Sequence, residues 1–179
     1  MELEMAGTLS LQVEVLSALP DQAPILANLL ELYTYDFSEI LDLKIGENGR
    51  FGYQPLRFYW SEPNRFPFLV RVNGDLAGFV LVCRGSEISG DDETWDLTEF
   101  FIMRGYRRSG AGTAAAHQVW RKFPGRWEVR VSEKNHGAQA FWERAVSEFT
   151  YSAAESIPVQ VARKKWNVFS FVSHPLPGE

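Results

Sequence analysis

The segment FFIMRGYRRSGAGTAAAHQVW, residues 100–120, restricts the fold of this chain more than any other. Its first residues complete a stretch over 95–103, apolar nearly throughout its second half, that reads as a strand buried on both faces. A turn carrying Arg104, Arg107 and Arg108 follows, and Gly110 and Gly112 then flank Ala111 where a helix begins, running to about Lys122. Phe123-Pro124-Gly125 closes that helix and a second strand is expected over 127–131. A strand, helix, strand unit implies two parallel strands. The N–H groups at a helix start lack intrahelical partners and form a ready anion site. Here Gly110 and Gly112 would let an anion approach the backbone closely, with Arg107 and Arg108 adding charge.

The elements around this unit follow from periodicity. Residues 8–15 alternate as an opening strand. Ile25, Leu26, Leu29, Leu30 and Tyr33 share one helical face, so a helix is expected over 21–34, started by Asp21 and Pro24. An aromatic, irregular stretch spans 35–66 with room for a short helix. Residues 68–72 and 76–83 flank Asn73-Gly74, a pair that supplies the positive φ angles of a tight hairpin, so these strands are antiparallel. Ala138, Phe141, Trp142, Ala145 and Phe149 keep helical spacing, with the helix expected to end near Val146. Residues 149–152 and 168–172 would form a final strand pair, which could also pair across a homodimer. The expected fold is a single α/β (α+β) domain over 1–179 with a mixed sheet.

Composition narrows the function classes. The formal net charge is −5, which argues against a general nucleic-acid binder. Between 85 and 103 six acids (Glu87, Asp91, Asp92, Glu93, Asp96, Glu99) meet no base. Between 104 and 130 seven bases (Arg104, Arg107, Arg108, Arg121, Lys122, Arg126, Arg130) face Glu128 alone. Such halves suit an anionic cofactor beside a cationic acceptor, or simply two solvated surfaces. No apolar run approaches a membrane span, and the opening MELEMAG is acidic and unlike a secretory signal, so a cytoplasmic protein without membrane attachment is expected. Cys83, the single cysteine, reads as core, and His117, His136 and His174 lack the spacing of metal ligands, so no metal is expected.

Two motif readings compete at the loop. Gly110-Ala111-Gly112-Thr113-Ala114-Ala115 satisfies the G-x-G-x-x-A dinucleotide fingerprint, with Glu133 about twenty residues on. That fingerprint sets its first glycine directly after the strand, whereas residues 104–109 intervene here. Arg107-x-x-Gly110-x-Gly112 after a buried strand instead resembles the acyl-CoA-binding signature of the GNAT superfamily of N-acyltransferases. Asn135-x-x-Ala138-x-x-Phe141-Trp142 resembles that family's Asn-x-x-Ala element, although Asn is also a favoured helix N-cap. The resemblance covers about 68–150, and the stretches EFFIMRGYRRSGAG and FPGRWEVRV are similar to a little-characterised bacterial subgroup of acetyltransferases.

The resemblance implies a largely antiparallel sheet flanked by helices, with one parallel pair at the acyl-CoA site. It implies acetyl-CoA as cosubstrate, its pyrophosphate at Arg107, Arg108, Ser109, Gly110, Ala111, Gly112 and Thr113, and its thioester near Phe101 and Ile102. Asn135, Ala138, Phe141 and Trp142 would complete the cofactor site, and the N–H of Ile102 would polarise the thioester carbonyl. Attack by an amine needs a base, for which Glu99 is the first candidate and Asp96 the reserve. The acceptor, a small-molecule or protein amine, would be enclosed by residues 33–37, by Phe58, Tyr59 and Trp60, and near Trp166. Trp142 departs from the family, where many relatives carry a tyrosine able to protonate the leaving thiolate. The alternative is therefore a non-catalytic acyl-CoA-binding module of the same fold.

Overall fold

The structure, a computed structural model, describes residues 10–175. Seven strands form one sheet in the order β1-β2-β3-β4-β5-β7-β6. They are β1 (Val13–Ser17), β2 (Arg65–Val72), β3 (Asp75–Arg84), β4 (Trp95–Ile102), β5 (Gly125–Ser132), β6 (Ser156–Val161) and β7 (Lys164–Ser173). Among the described residues only β4 and β5 pair in parallel. Three helices accompany them: α1 (Ala23–Phe37), α2 (Ala111–Lys122) and α3 (His136–Thr150).

The hairpin expected at Asn73-Gly74 joins β2 to β3, with φ of 52° and 86° at the two turn residues. Most other expected elements differ by a few residues at their ends. The opening strand starts later, at Val13, and Thr8 lies outside the described residues. A 3-10 turn at Pro20–Gln22 leads into α1, which runs on to Phe37, and the short helix inside the aromatic stretch is a 3-10 helix at Gln54–Trp60.

The final strand pair is corrected. Residues 149 and 150 belong to α3, which ends at Tyr151 in a left-handed cap (φ 54°), and β7 pairs instead with β6. Phe149 continues the apolar face of α3, packing on Trp120 and Phe171 at 5.1 and 6.0 Å between ring centroids.

The sheet divides two cores. On one face α2 and α3 bury Trp120, Trp127, Trp142 and Phe169 against Val80, Val82 and Leu97. On the other, α1 and the 3-10 helix at Gln54–Trp60 bury Leu26, Leu30 and Tyr59 against Leu69, Phe79, Leu81 and Phe101. Gly78 is required by this packing, since a Cβ there would sit 2.0 Å from the carbonyl oxygen of Phe101.

Candidate active site

A β-bulge shapes the site. Along β3 and β4, Leu81 faces Glu99 and Val82 faces Leu97, so Thr98 is the extra residue. Strict alternation from Leu97 would turn Glu99 toward α2 and α3. The bulge switches the face, and Glu99 and Phe101 point toward α1 while Phe100 and Ile102 point toward α2 and α3. Thr98 is held in place by donating to the carbonyl of Leu81 (2.9 Å) and by a hydrogen bond with the Tyr59 hydroxyl (2.7 Å).

The parallel pairing with β5 ends at the same point, with Leu97 opposite Val129, so β4 leaves β5 from Thr98 onward. Met103 N–H donates to Ala77 C=O at 2.8 Å. The alternation of an antiparallel ladder therefore turns the backbone groups of Phe101 toward β3 and those of Phe100 and Ile102 toward the gap beside β5. The Ile102 carbonyl accepts from Arg107 Nε at 2.6 Å, and its N–H faces the gap.

The glycine loop sits at the end of that gap. Gly110 adopts φ 91° as the cap of α2, with open space where a Cβ would be. Ser109 orders the turn, donating to the Tyr106 carbonyl (2.7 Å) and accepting from Ala111 N–H (3.3 Å). The first intrahelical bond runs from Ala114 N–H to Gly110 C=O, so the amides of Gly112 and Thr113 precede the helical ladder as an anion site requires. Gly112 has a packing reason as well. A Cβ there would meet the ring of Phe141 at 3.1 Å, so the missing side chain also lets α3 approach α2.

Phe141 in turn stacks on Phe100 (5.8 Å), and Trp142 meets Phe100 edge-on (4.9 Å), so both flank the gap from α3. Asn135 caps α3, its Oδ1 accepting from Ala138 N–H at 3.0 Å.

The arginines divide. Arg107 Nη2 reaches Asp36 Oδ2 at 2.5 Å and its guanidinium lies 5.6 Å from the Phe101 ring, while Arg104 reaches Asp36 Oδ1 at 2.9 Å. These two side chains tie the loop to the end of α1, and the two guanidinium groups hold the Asp36 carboxyl below its usual range against its partial burial. Arg108, at φ 62° and exposed, forms none of these bonds. The sequence placed Asp36 inside the stretch expected to enclose the acceptor but gave no sign of its arginine partners, which lie about seventy residues away.

Glu99 receives two hydroxyls. Tyr33 donates to Oε2 at 2.5 Å and Tyr53 donates to Oε1 at 2.9 Å. Burial pushes the Glu99 carboxyl above its ordinary range, opposed by these bonds and by Arg130 and Lys164. Tyr33 is raised well above its usual value by burial and by the adjacent carboxylate. Tyr53 was not singled out in the sequence, since it lies in an aperiodic stretch.

Asp96 is 2% exposed. Its Oδ2 pairs with Arg130 at 3.2 Å, its Oδ1 has no partner, and burial pushes its pKa up to about 6 despite the arginine. It is sealed beneath Arg130, which itself lies over Trp166 at 5.8 Å. The acidic and basic stretches also meet each other, as Arg126 pairs with Asp91 at 3.2 Å and Arg130 with Glu87 at 3.4 Å, and Arg84 at the end of β3 pairs with Glu93. Among the described residues no group of His, Cys, Asp or Glu could hold a metal ion, and no helix is long and apolar enough to cross a membrane.

Known proteins resemble this chain in sequence and in fold. Residues 27–146 match the model of the acetyltransferase (GNAT) family. Uncharacterized N-acetyltransferases of Mycobacterium tuberculosis and Mycobacterium bovis are 28% identical over 90 residues, covering 48% of this chain and 54% of theirs. The chain thus spans about half the length of the curated relatives it matches. An acetyltransferase from Thermus thermophilus superposes with a TM-score of 0.67 at 16% identity, over 90% of this chain and 97% of that one. An aminoglycoside acetyltransferase in complex with coenzyme A gives 0.64 at 12% identity, over 91% and 95%. The spermidine N-acetyltransferase from Vibrio cholerae in complex with CoA and spermine gives 0.63 at 8%, over 90% and 96%.

Proposed function

Because the chain belongs to the GNAT acetyltransferase family, we propose that it is an N-acetyltransferase in which Glu99 takes the proton of a primary amine acceptor as that amine accepts an acetyl group from acetyl-CoA. The observation that carries this reading is the forking of β4 from β5 after Leu97, which frees the Ile102 N–H beside the open start of α2 and turns Glu99 to the other face.

The residues present fit the cosubstrate. The amides of Gly112 and Thr113 and the side chain of Arg108 would hold its pyrophosphate, and the free edge at Phe100 and Ile102 would pair with its amide-bearing arm. When bound, acetyl-CoA supplies an acetyl group activated as a thioester. The Ile102 N–H donates to the thioester carbonyl oxygen, where negative charge develops. Glu99 removes one proton from the ammonium form of the acceptor, freeing the lone pair that forms the new C–N bond as the C–S bond breaks, and the second N–H proton passes afterwards to the expelled thiolate or to water. Burial raises its pKa, which makes the carboxylate a stronger base than an exposed glutamate. Trp142 cannot return a proton to sulfur, and a thiol of pKa about 8.5 is a tolerable leaving group without one. Asp96, sealed against Arg130, serves the reaction only through the charges around Glu99.

The acceptor is a small-molecule or protein amine, and the chain works as one acyltransferase domain in the cytoplasm. Trp142 favours a second reading, an acyl-CoA-binding module without turnover. Calorimetry with acetyl-CoA, followed by thiol release over a panel of polyamines, aminoglycosides and lysine peptides, separates them. Binding with turnover supports the enzyme, binding without turnover supports the module, and no binding of any CoA ester removes both.

A further inference from the structure

We propose that Tyr33 and Tyr53 are positioning residues for Glu99 with unequal parts: Tyr33 fixes one carboxylate oxygen permanently, and Tyr53 is a displaceable cap whose place the acceptor's ammonium takes. This rests on Glu99 being the base. Both carboxylate oxygens receive a hydroxyl in the structure, one from a helix and one from an irregular segment. An ammonium N–H can replace an O–H at the same oxygen, exchanging one donor for another without leaving the carboxylate bare.

The two supports differ in how they are held. Tyr33 lies on α1, its ring wedged against Phe37 (4.6 Å), Phe79 (5.6 Å) and Phe101 (5.9 Å), and so cannot leave without opening the core. Tyr53 also packs against this core, but it sits outside the helix, ending a strap over residues 46–53 in which Gly49 and Gly52 take φ of 73° and 72°. The strap is stitched to α1 by the Glu31 carboxylate, which accepts from Phe51 N–H (2.8 Å) and Gly52 N–H (3.0 Å). Between strap and helix lies a cavity of about 350 Å³ bordered by Ala27, Glu31, Asn48, Arg50 and Tyr53 itself. The donor that can withdraw is therefore Tyr53, and the acceptor reaches Glu99 from the strap side.

The charged groups facing Glu99 are Arg130 from β5, Lys164 from β7 and Asp96 from its own strand, and Tyr33 and Tyr53 are the two that bond it directly. Both hydroxyls favour the ionised carboxylate, so removing either raises the Glu99 pKa.

The experiment is a ¹³C titration of the Glu99 carboxyl in ligand-free wild type, Tyr33→Phe and Tyr53→Phe, together with acceptor KM and kcat measured above the acid limb of each profile. Both variants should shift the titration upward by about half a pH unit or more. Tyr53→Phe should lower the acceptor KM several-fold with kcat nearly kept, and Tyr33→Phe should lower kcat with KM nearly kept. Titrations that superpose on wild type, or a split in the opposite sense, overturn the proposal. Full turnover by Glu99→Gln would instead remove the base itself, which distinguishes failure of the function from failure of this inference.

Discussion

At Gly110 and Gly112 the backbone lacks side chains for two separate reasons, one conformational and one of space. Gly110 sits at φ 91°, where an L-residue is strained, while Gly112 leaves room for the Phe141 ring. Gly112→Val is expected to push α3 away from α2, costing about 1–3 kcal/mol of stability. Because Phe141 also stacks on Phe100, acetyl-CoA affinity should fall with it. Denaturant melts and calorimetry check both effects, and an unchanged melting midpoint would remove the packing explanation. The glycines themselves were legible in the sequence, as was Glu99. Their reasons were not, because φ angles and the approach of α3 arise from contacts between distant segments. Tyr53 and the pairing of Asp36 were invisible for the same cause, since each finds its partner across the fold rather than along the chain.

Among the elements, the β2–β3 hairpin and the β4-α2-β5 unit were readable because turn chemistry and apolar runs are local signals. The bulge at Thr98 was not, although it decides which face carries Glu99: the residue that opposes Thr98 is missing from β3, and nothing in the run WDLTEFFI marks it. Strand β6 escaped for a different reason. It is a sheet edge with Ile157 exposed and Pro158 inside it, so its burial imposes no clear alternation. Helix α3 was placed correctly at its start, where Asn135 caps it. Asn135→Ala should cost about 1 kcal/mol by leaving the Ala138 N–H without its side-chain acceptor. Urea denaturation would read this directly, and a variant as stable as wild type would contradict the cap's importance.

Over the whole molecule, the acidic and basic stretches bind one another in part, through Arg126 and Arg130. The cost of this arrangement is concentrated at Asp96, whose carboxyl is pushed from 3.8 to about 6 by burial. Below about pH 4 folded and unfolded chains both hold that proton. Between the two values the unfolded chain has released it and the folded chain has not, so stability falls as pH rises and reaches its floor above about pH 6. The loss is at most about 3 kcal/mol. Asp96→Asn should abolish this part of the slope, so its stability relative to wild type should improve on going from about pH 4.5 to about pH 7.5. Parallel stability profiles would show that Asp96 does not titrate in this window.

The account as a whole turns on Glu99 lying on the free stretch of β4 as a base rather than as a buried structural acid. The direct measurement is thiol release by Glu99→Gln at neutral pH, with acetyl-CoA affinity measured by calorimetry on the same protein. Loss of a general base should lower turnover by about 10²–10⁴-fold, with CoA affinity within a few-fold of wild type. Turnover equal to wild type, with CoA bound normally, would contradict it.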